Sequence, residues 1–182
     1  MPVVTIISDL GNRDYHIPAV KGVLLSANSQ ANIVDISHQV RPYHFIEAAF
    51  ILGNCFRDFP PGTLHLIGVE GDFNKSTPWI IAKLEGHYFF TKNTGLLALI
   101  SDQTPDWVNS IEIEHKRELK FPLKSILAKA AAQVLKGAEP KNIGQPIESF
   151  VQKGLMQAAI GQKSIHGTVV FITPYSNAIT NI

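Results

Sequence analysis

Cysteine is nearly missing from this chain of 182 residues: Cys55 is the only one. A single thiol cannot close an internal disulfide, which points to a reducing compartment. It sits in the apolar helical stretch 51–56, where a buried structural thiol is expected rather than a nucleophile. Charge is also scarce, with Asp, Glu, Lys and Arg at 17% and a formal net charge of +1, against about a quarter charged residues in an ordinary domain. A nucleic-acid partner needs clustered Lys and Arg. The one basic cluster, His115-Lys116-Arg117, is interleaved with Glu112, Glu114 and Glu118 and reads as a solvated face. No apolar run reaches the ~18 residues of a membrane span, and no basic segment precedes a cleavable apolar one. The expectation is a soluble cytoplasmic protein with no membrane partner.

Several chemical signatures are absent as well. Neither G-x-G-x-x-G nor G-x-x-x-x-G-K-[ST] occurs, so no loop of either type cradles a phosphate. The seven histidines (His16, His38, His44, His65, His87, His115 and His166) form no H-E-x-x-H, and there is no C-x-x-C, so no metal site is expected. Ser8 lacks the G-x-S-x-G elbow of hydrolases. His65 and His87 fall inside expected strands and read as packed or edge histidines.

What is present is alternation. With 45% apolar residues the chain can bury a proper core. Residues 3–8 form a short apolar strand suited to a sheet covered on both faces. Residues 14–26 follow as a helix, with Ile17, Val20 and Leu24 on one stripe and Pro18 tolerable in the first turn. A strand at 33–36, a helix at 44–56 and a strand at 64–69 complete β-α-β-α-β, the pattern of a parallel α/β sheet. Beyond it the sequence predicts a hairpin (79–85 and 88–91) about Glu85-Gly86, a half-exposed strand at 109–114, and a helix at 125–136 stopped by Gly137. Residues 140–164 are polar and irregular, and 167–173 form one last strand. The fold class expected is α/β: a mostly parallel central sheet flanked by helices on both faces, with the first strand of a C-terminal β-domain. The expected division is an α/β domain over 1–150, a linker over 151–166 and the start of a β-barrel domain over 167–182.

The stretch Ser8-Asp9-Leu10-Gly11-Asn12-Arg13-Asp14 places two carboxylates where the first strand ends. Ligands of α/β sheets bind beyond the carboxyl ends of the strands, where acidic residues hold ribose hydroxyls. Asp9 is the first polar group beyond that edge and reads either as a ligand contact or as a turn former. Asp14 opens the next helix and reads first as its cap.

These motifs, with Lys21-Gly22, Ile33-Val34-Asp35-Ile36-Ser37-His38, Pro42, Glu47-Ala48-Ala49, Phe59-Pro60-Pro61-Gly62-Thr63 and Thr94-Gly95-Leu96-Leu97, occur in one family's order. The chain resembles the S-adenosylmethionine (SAM) hydroxide adenosyltransferases, with the fluorinases and chlorinases, over nearly its whole length. The end of the chain, Tyr175-Ser176-Asn177-Ala178-Ile179-Thr180-Asn181-Ile182, resembles the segment that opens that family's small C-terminal barrel, so the chain is expected to stop inside that domain's first motif. The resemblance implies that Asp9 holds the ribose hydroxyls of SAM and that Asp14 reaches its methionine end. Tyr43 and Phe121 become pocket aromatics, and Tyr175 and Asn177 hold the adenine. It implies a homotrimer whose sites form between subunits, SAM as a substrate and no further cofactor. The reaction implied is attack of water or hydroxide at the ribose C5′, giving adenosine and methionine.

Departures fall on the chemistry. The family's Val-Asp-Pro-Gly-Val-Gly segment reads Val69-Glu70-Gly71-Asp72-Phe73-Asn74, so its Asp becomes Glu70, and Phe73 is carried over as a substrate contact. Its Arg falls on Thr77, and the His of Thr-Phe-His-Gly-Arg-Asp falls on Pro122. The halide-binding Ser of fluorinases falls on Leu123, which speaks against halogenation. Glu70 is left as the ionisable group at the three water-orienting positions. Two readings stay open at this point: a hydrolase of SAM, or a non-catalytic relative that binds an adenosine-type ligand or serves as an oligomeric interaction module.

Overall fold

The computed structural model describes residues 1–69, 77–113, 115–148, 150–152 and 158–182. Glu70 and Phe73 therefore lie outside the described residues. The first strand, β1 (Val3–Ser8), runs into helix α1 (His16–Ala27), then β2 (Asn32–Ser37), α2 (Phe45–Gly53) and β3 (Leu64–Gly68). The hairpin β4 (Trp79–Leu84) and β5 (His87–Lys92) follows, then the short α3 (Leu97–Ile100) and β6 (Trp107–Ser110). Glu85 and Gly86 at the hairpin tip both have positive φ, 49° and 79°, the twist that matches a two-residue hairpin. A π-helical turn (Leu123–Ala128) continues into α4 (Lys129–Leu135), and β7 (Gln145–Pro146) closes a seven-stranded sheet of order β2-β1-β3-β5-β4-β6-β7.

The first four strands in that order pair parallel; β4, β6 and β7 add antiparallel pairs at the far side. The sheet is mixed, with helices on both faces; its central strands are parallel, as the alternation predicts, and the antiparallel pairs lie to one side. Its two layers follow from the period of two along each strand. Val4, Ile6, Leu64, Leu66, Ile81 and Phe90 point to the layer holding α1 and α4. Ile7, Ile67, Ile80, Ala82 and Phe89 point to the layer holding α2 and α3. Because α1 leads to β2 on one side of β1 and α2 leads back to β3 on its other side, β1 and β3 flank the point where strand order reverses.

Four expectations change. The strand expected at 109–114 is Trp107–Ser110; Ile111 donates one last bond to the Trp79 carbonyl (2.7 Å) before the chain leaves the sheet. The helix expected at 125–136 begins at Leu123, with wider π-helical hydrogen bonding in its first turn, and ends as expected at Gly137, φ 100°. Several described residues of the stretch expected to be irregular from 140 pack against the sheet. Pro140 and Ile143 are buried, β7 pairs with β6, and the Val151 amide donates to Asn93 Oδ1 (3.0 Å). The last strand is not alone: β10 (Val169–Ile172) pairs with β11 (Ala178–Thr180), and Phe171 stacks on Phe50 of α2 at 5.1 Å. In chain order a small hairpin, β8 (Ala159–Ile160) with β9 (Ile165–His166), comes before them.

Cys55 is half-buried just after α2, its Sγ 3.6 Å from the Leu52 carbonyl. Burial, with Asp58 nearby, pushes its thiol above the ordinary value, as suits a structural role.

Candidate functional site

The chain leaves β1 at Asp9 and must turn at once. Gly11 takes φ 72°, which an L side chain rarely adopts, and its amide donates to the His38 carbonyl (2.7 Å) beyond β2. Ser8, fully buried, lies 2.9 Å from His38 Nδ1 through its Oγ, and the Leu10 amide reaches back to that Oγ at 3.5 Å. His38 Nε2 lies 3.1 Å from Asp35 Oδ1, and Lys21 Nζ donates to the other carboxylate oxygen. Burial works against ionisation of Asp35, but Lys21 and His38 outweigh it and hold its carboxyl below the ordinary value. These contacts tie the turn carrying Asp9 to β2 and α1.

Asp9 is half-buried, and its Oδ2 accepts the Tyr43 amide at 2.9 Å. Burial raises its carboxyl above the ordinary value, partly offset by the amides of Tyr43 and of Asp9 itself. Tyr43 makes that bond from a left-handed backbone, φ 63°, unusual for a bulky residue and typical of ligand clamps.

Asp9 and Tyr43 form one wall of a cleft of about 340 Å³ at the carboxyl ends of β1 and β3. Leu119, Lys120, Phe121 and Pro122 form the facing wall, with Trp79 and Leu123 deeper. Gly68 at the end of β3 makes the floor possible: a Cβ there would stand 2.6 Å from Leu123 Cδ2. The cleft sits at the reversal of strand order, where open α/β sheets bind ligands. Among the described residues, no cluster of three or more His, Cys, Asp or Glu forms a metal site, and no helix is long and apolar enough to cross a membrane.

The structure thus brings Asp9, Tyr43 and Phe121 together. Asp14 is exposed and does not line the cleft. Its Oδ1 accepts the amide of His16, the first residue of α1 (2.9 Å), and lies 2.7 Å from His16 Nδ1; the N-cap itself is Tyr15, without a side-chain cap bond. The His16 amide and then its imidazole hold the Asp14 carboxyl below the ordinary value. His16 itself does line the cleft. Sequence reasoning missed it; the signal was Asp14-Tyr15-His16 at a helix start, where a carboxylate and an imidazole two residues on share one turn. Tyr175 and Asn177 lie in the β10–β11 turn, Tyr175 87% exposed, in a hairpin packed on α2 and not beside the cleft.

A half-buried carboxylate at the switch point of a parallel sheet, walled by aromatic side chains, is the arrangement in which open α/β sheets hold small polar ligands. The family model for the SAM hydroxide adenosyltransferase N-terminal domain matches residues 4–144. The chain belongs to the SAM hydroxide adenosyltransferase and fluorinase family. It is 23% identical over 193 residues to an (R)-S-adenosyl-L-methionine hydrolase of Methanocaldococcus jannaschii, an alignment covering 100% of this chain and 67% of the hydrolase. A fluorinase of Nocardia brasiliensis is 36% identical over 63 residues, 35% of this chain and 21% of the fluorinase. Among solved structures, an uncharacterized conserved protein from Thermotoga maritima superposes with a TM-score of 0.83 at 25% identity, covering 98% of this chain and 71% of that one. A conserved hypothetical protein from Thermus thermophilus gives a TM-score of 0.79 at 24% identity, covering 100% of this chain and 73% of that one.

Proposed function

We propose that this protein binds SAM and catalyses attack of water or hydroxide at the ribose C5′, releasing adenosine and methionine. The observation that carries the reading is Asp9: a carboxylate held by the Tyr43 amide in the cleft at the β1/β3 switch point, placed to accept both hydroxyls of a ribose. Tyr43 and Phe121 offer aromatic surface along the sugar and the thioether chain. Sulfonium is a good leaving group, so rate comes from holding C5′ in line with the nucleophile and from a preorganised, partly dry site. Leu123 at the family's halide-binding position leaves no hydroxyl for a halide, which favours water as nucleophile. Glu70, by its place in the sequence, is a candidate to orient that water, and Phe73 a candidate contact; both lie outside the described residues. SAM is the substrate, and the reading needs no other cofactor.

The reading includes an N-terminal domain to residue 150, a linker over 151–166 and the opening of a C-terminal β-domain. It also includes a cytoplasmic homotrimer in which Asp14 reaches the methionine end, while Tyr175 and Asn177 of one subunit hold the adenine in a neighbour's cleft. The test is incubation of the full-length protein with SAM, following adenosine by chromatography, with Asp9→Ala alongside. Adenosine release lowered by ~100-fold or more in Asp9→Ala is expected. SAM bound without turnover would make the protein a binding module instead.

A further inference from the structure

Tyr43 presents its amide to Asp9 from a strained turn. The His44 amide donates to the Arg41 carbonyl (3.0 Å), so residues 41–44 form a tight turn with Pro42 second and Tyr43 third. Proline at the second place and positive φ at the third is the pattern of a type II turn, whose third residue is ordinarily glycine. A bulky residue there persists only where its surroundings over-determine it. Contacts outside the cleft do that. Arg41 Nε donates to Glu47 Oε2 at 2.6 Å, tying the first residue of the turn to the first turn of α2. Glu47 is 8% exposed, and its own amide donates to His44 Nδ1 (3.3 Å) and to the His44 carbonyl (3.1 Å). Its carboxylate sits at the helix end where the dipole favours negative charge. Neither Arg41 nor Glu47 lines the cleft, whereas Pro42 and Tyr43 between them do.

We propose that the ion pair of Arg41 with Glu47 positions the Tyr43 amide on Asp9 and so sets the affinity of Asp9 for ribose hydroxyls; this rests on the ribose-binding role given to Asp9 above. The pair touches no ligand, so both are positioning residues. It closes the turn from outside and holds the Tyr43 N–H on Asp9 Oδ2, 2.9 Å between heavy atoms. That bond aims the carboxylate and opposes burial, which raises the Asp9 carboxyl. With the pair broken, the strained turn relaxes and the amide leaves the carboxylate. Asp9 then takes up its proton at a higher pH. Among the described residues, the other charged or titratable groups lining the cleft are His16, Tyr43 and Lys120; behind the turn, His44 faces Glu47 at 3.8 Å.

The test is calorimetric titration of the full-length protein with adenosine from about pH 4 to 8, with Glu47→Gln, Arg41→Ala, Arg41→Lys and Asp9→Asn, and thermal melting of each. Wild type shows an acid-side loss of affinity that Asp9→Asn abolishes. Glu47→Gln and Arg41→Ala bind adenosine ~10-fold more weakly near neutral pH, and their acid-side loss begins at a higher pH than in wild type. Arg41→Lys keeps a cation for the single contact with Glu47 and binds within ~3-fold of wild type. Arg41 is the more exposed partner, 55% against 10%, so its variants decide the question should Glu47→Gln fail to fold. Wild-type affinity in Glu47→Gln and Arg41→Ala overturns the inference and leaves the role of Asp9 standing. So does a lower melting temperature, or weaker binding, with the acid-side loss unmoved. A wild type that binds no adenosine overturns both.

Discussion

At the scale of single residues, the site is built from exceptions to ordinary preference. Asp9 is a carboxylate kept half out of water, Tyr43 a bulky residue in a left-handed backbone, and Gly68 a residue whose missing side chain gives Leu123 its place. Asp9 carries a measurable signature. Burial raises its carboxyl, so it takes up a proton at a higher pH than an exposed aspartate. A protonated carboxyl has lost an acceptor, so affinity for a ribose ligand weakens as pH falls through that raised value and recovers above it. Calorimetric titration with adenosine across the acid range is expected to show this weakening beginning above ~4, the ordinary aspartate value. Asp9→Asn should bind weakly at every pH and show no such transition.

At the scale of elements, β1, β3 and β5 carry a polar thread through the layer that otherwise holds α2 and α3. Thr5 Oγ1 lies 2.7 Å from His65 Nδ1, and His65 Nε2 lies 3.2 Å from His87 Nδ1. Phe56, Phe59 and Phe89 pack around the His65 ring. Burial, followed by the neighbouring His87, lowers His65 from 6.5 to about 3. The folded protein therefore keeps His65 neutral while the unfolded chain protonates it below ~6.5. Stability from this residue is fully present above that value and falls by ~1.4 kcal/mol per pH unit below it, until the folded value near 3 is reached. Urea unfolding at about pH 7.5 and 5.5 should differ by ~1.4 kcal/mol from His65, and His65→Gln should reduce that difference. The sequence reading as packed histidines holds for both: each is buried inside its strand.

The same scale shows what could be read beforehand. β1 through β3 and the β4–β5 hairpin were legible because their apolar runs are long and their turns carry Pro60-Pro61-Gly62 and Glu85-Gly86. β7 was not, since it is two residues long, includes Pro146 and pairs only at the sheet edge. The π-helical turn at Leu123–Ala128 leaves no mark in apolar spacing that separates it from α-helix. In the site, Asp9 followed from its position after a strand, and Tyr43 and Phe121 followed from resemblance. His16 and the Ser8-His38-Asp35 chain depend on how α1 and β2 return to the end of β1, contacts that spacing along the sequence does not record.

At the scale of the whole molecule, the proposed adenine-holding residues and the cleft belong to different regions. Leu123 and Trp79 in the cleft belong to the layer of α1 and α4; the β10–β11 hairpin with Tyr175 packs on α2, in the other layer. Val169, Ile172 and Tyr175 on that hairpin are exposed, as are Ile160 and Ile165 in the preceding one. In the proposed assembly a neighbour covers such surface, and the hairpin reaches that neighbour's cleft and not its own. The contact is then head-to-tail, with two unlike surfaces meeting, and rotation closes it into a ring. Each subunit gives one half of a site and receives the other half of a different one. Defects on the two halves are therefore separable. Asp9→Ala spoils the receiving half and Tyr175→Ala the giving half, and a pure population of either is expected to be inactive. Co-expressed, the two inactive chains should complement each other: random association puts a sound Asp9 against a sound Tyr175 in about a quarter of sites. A mixture as inactive as its parents would mean that each hairpin serves its own cleft.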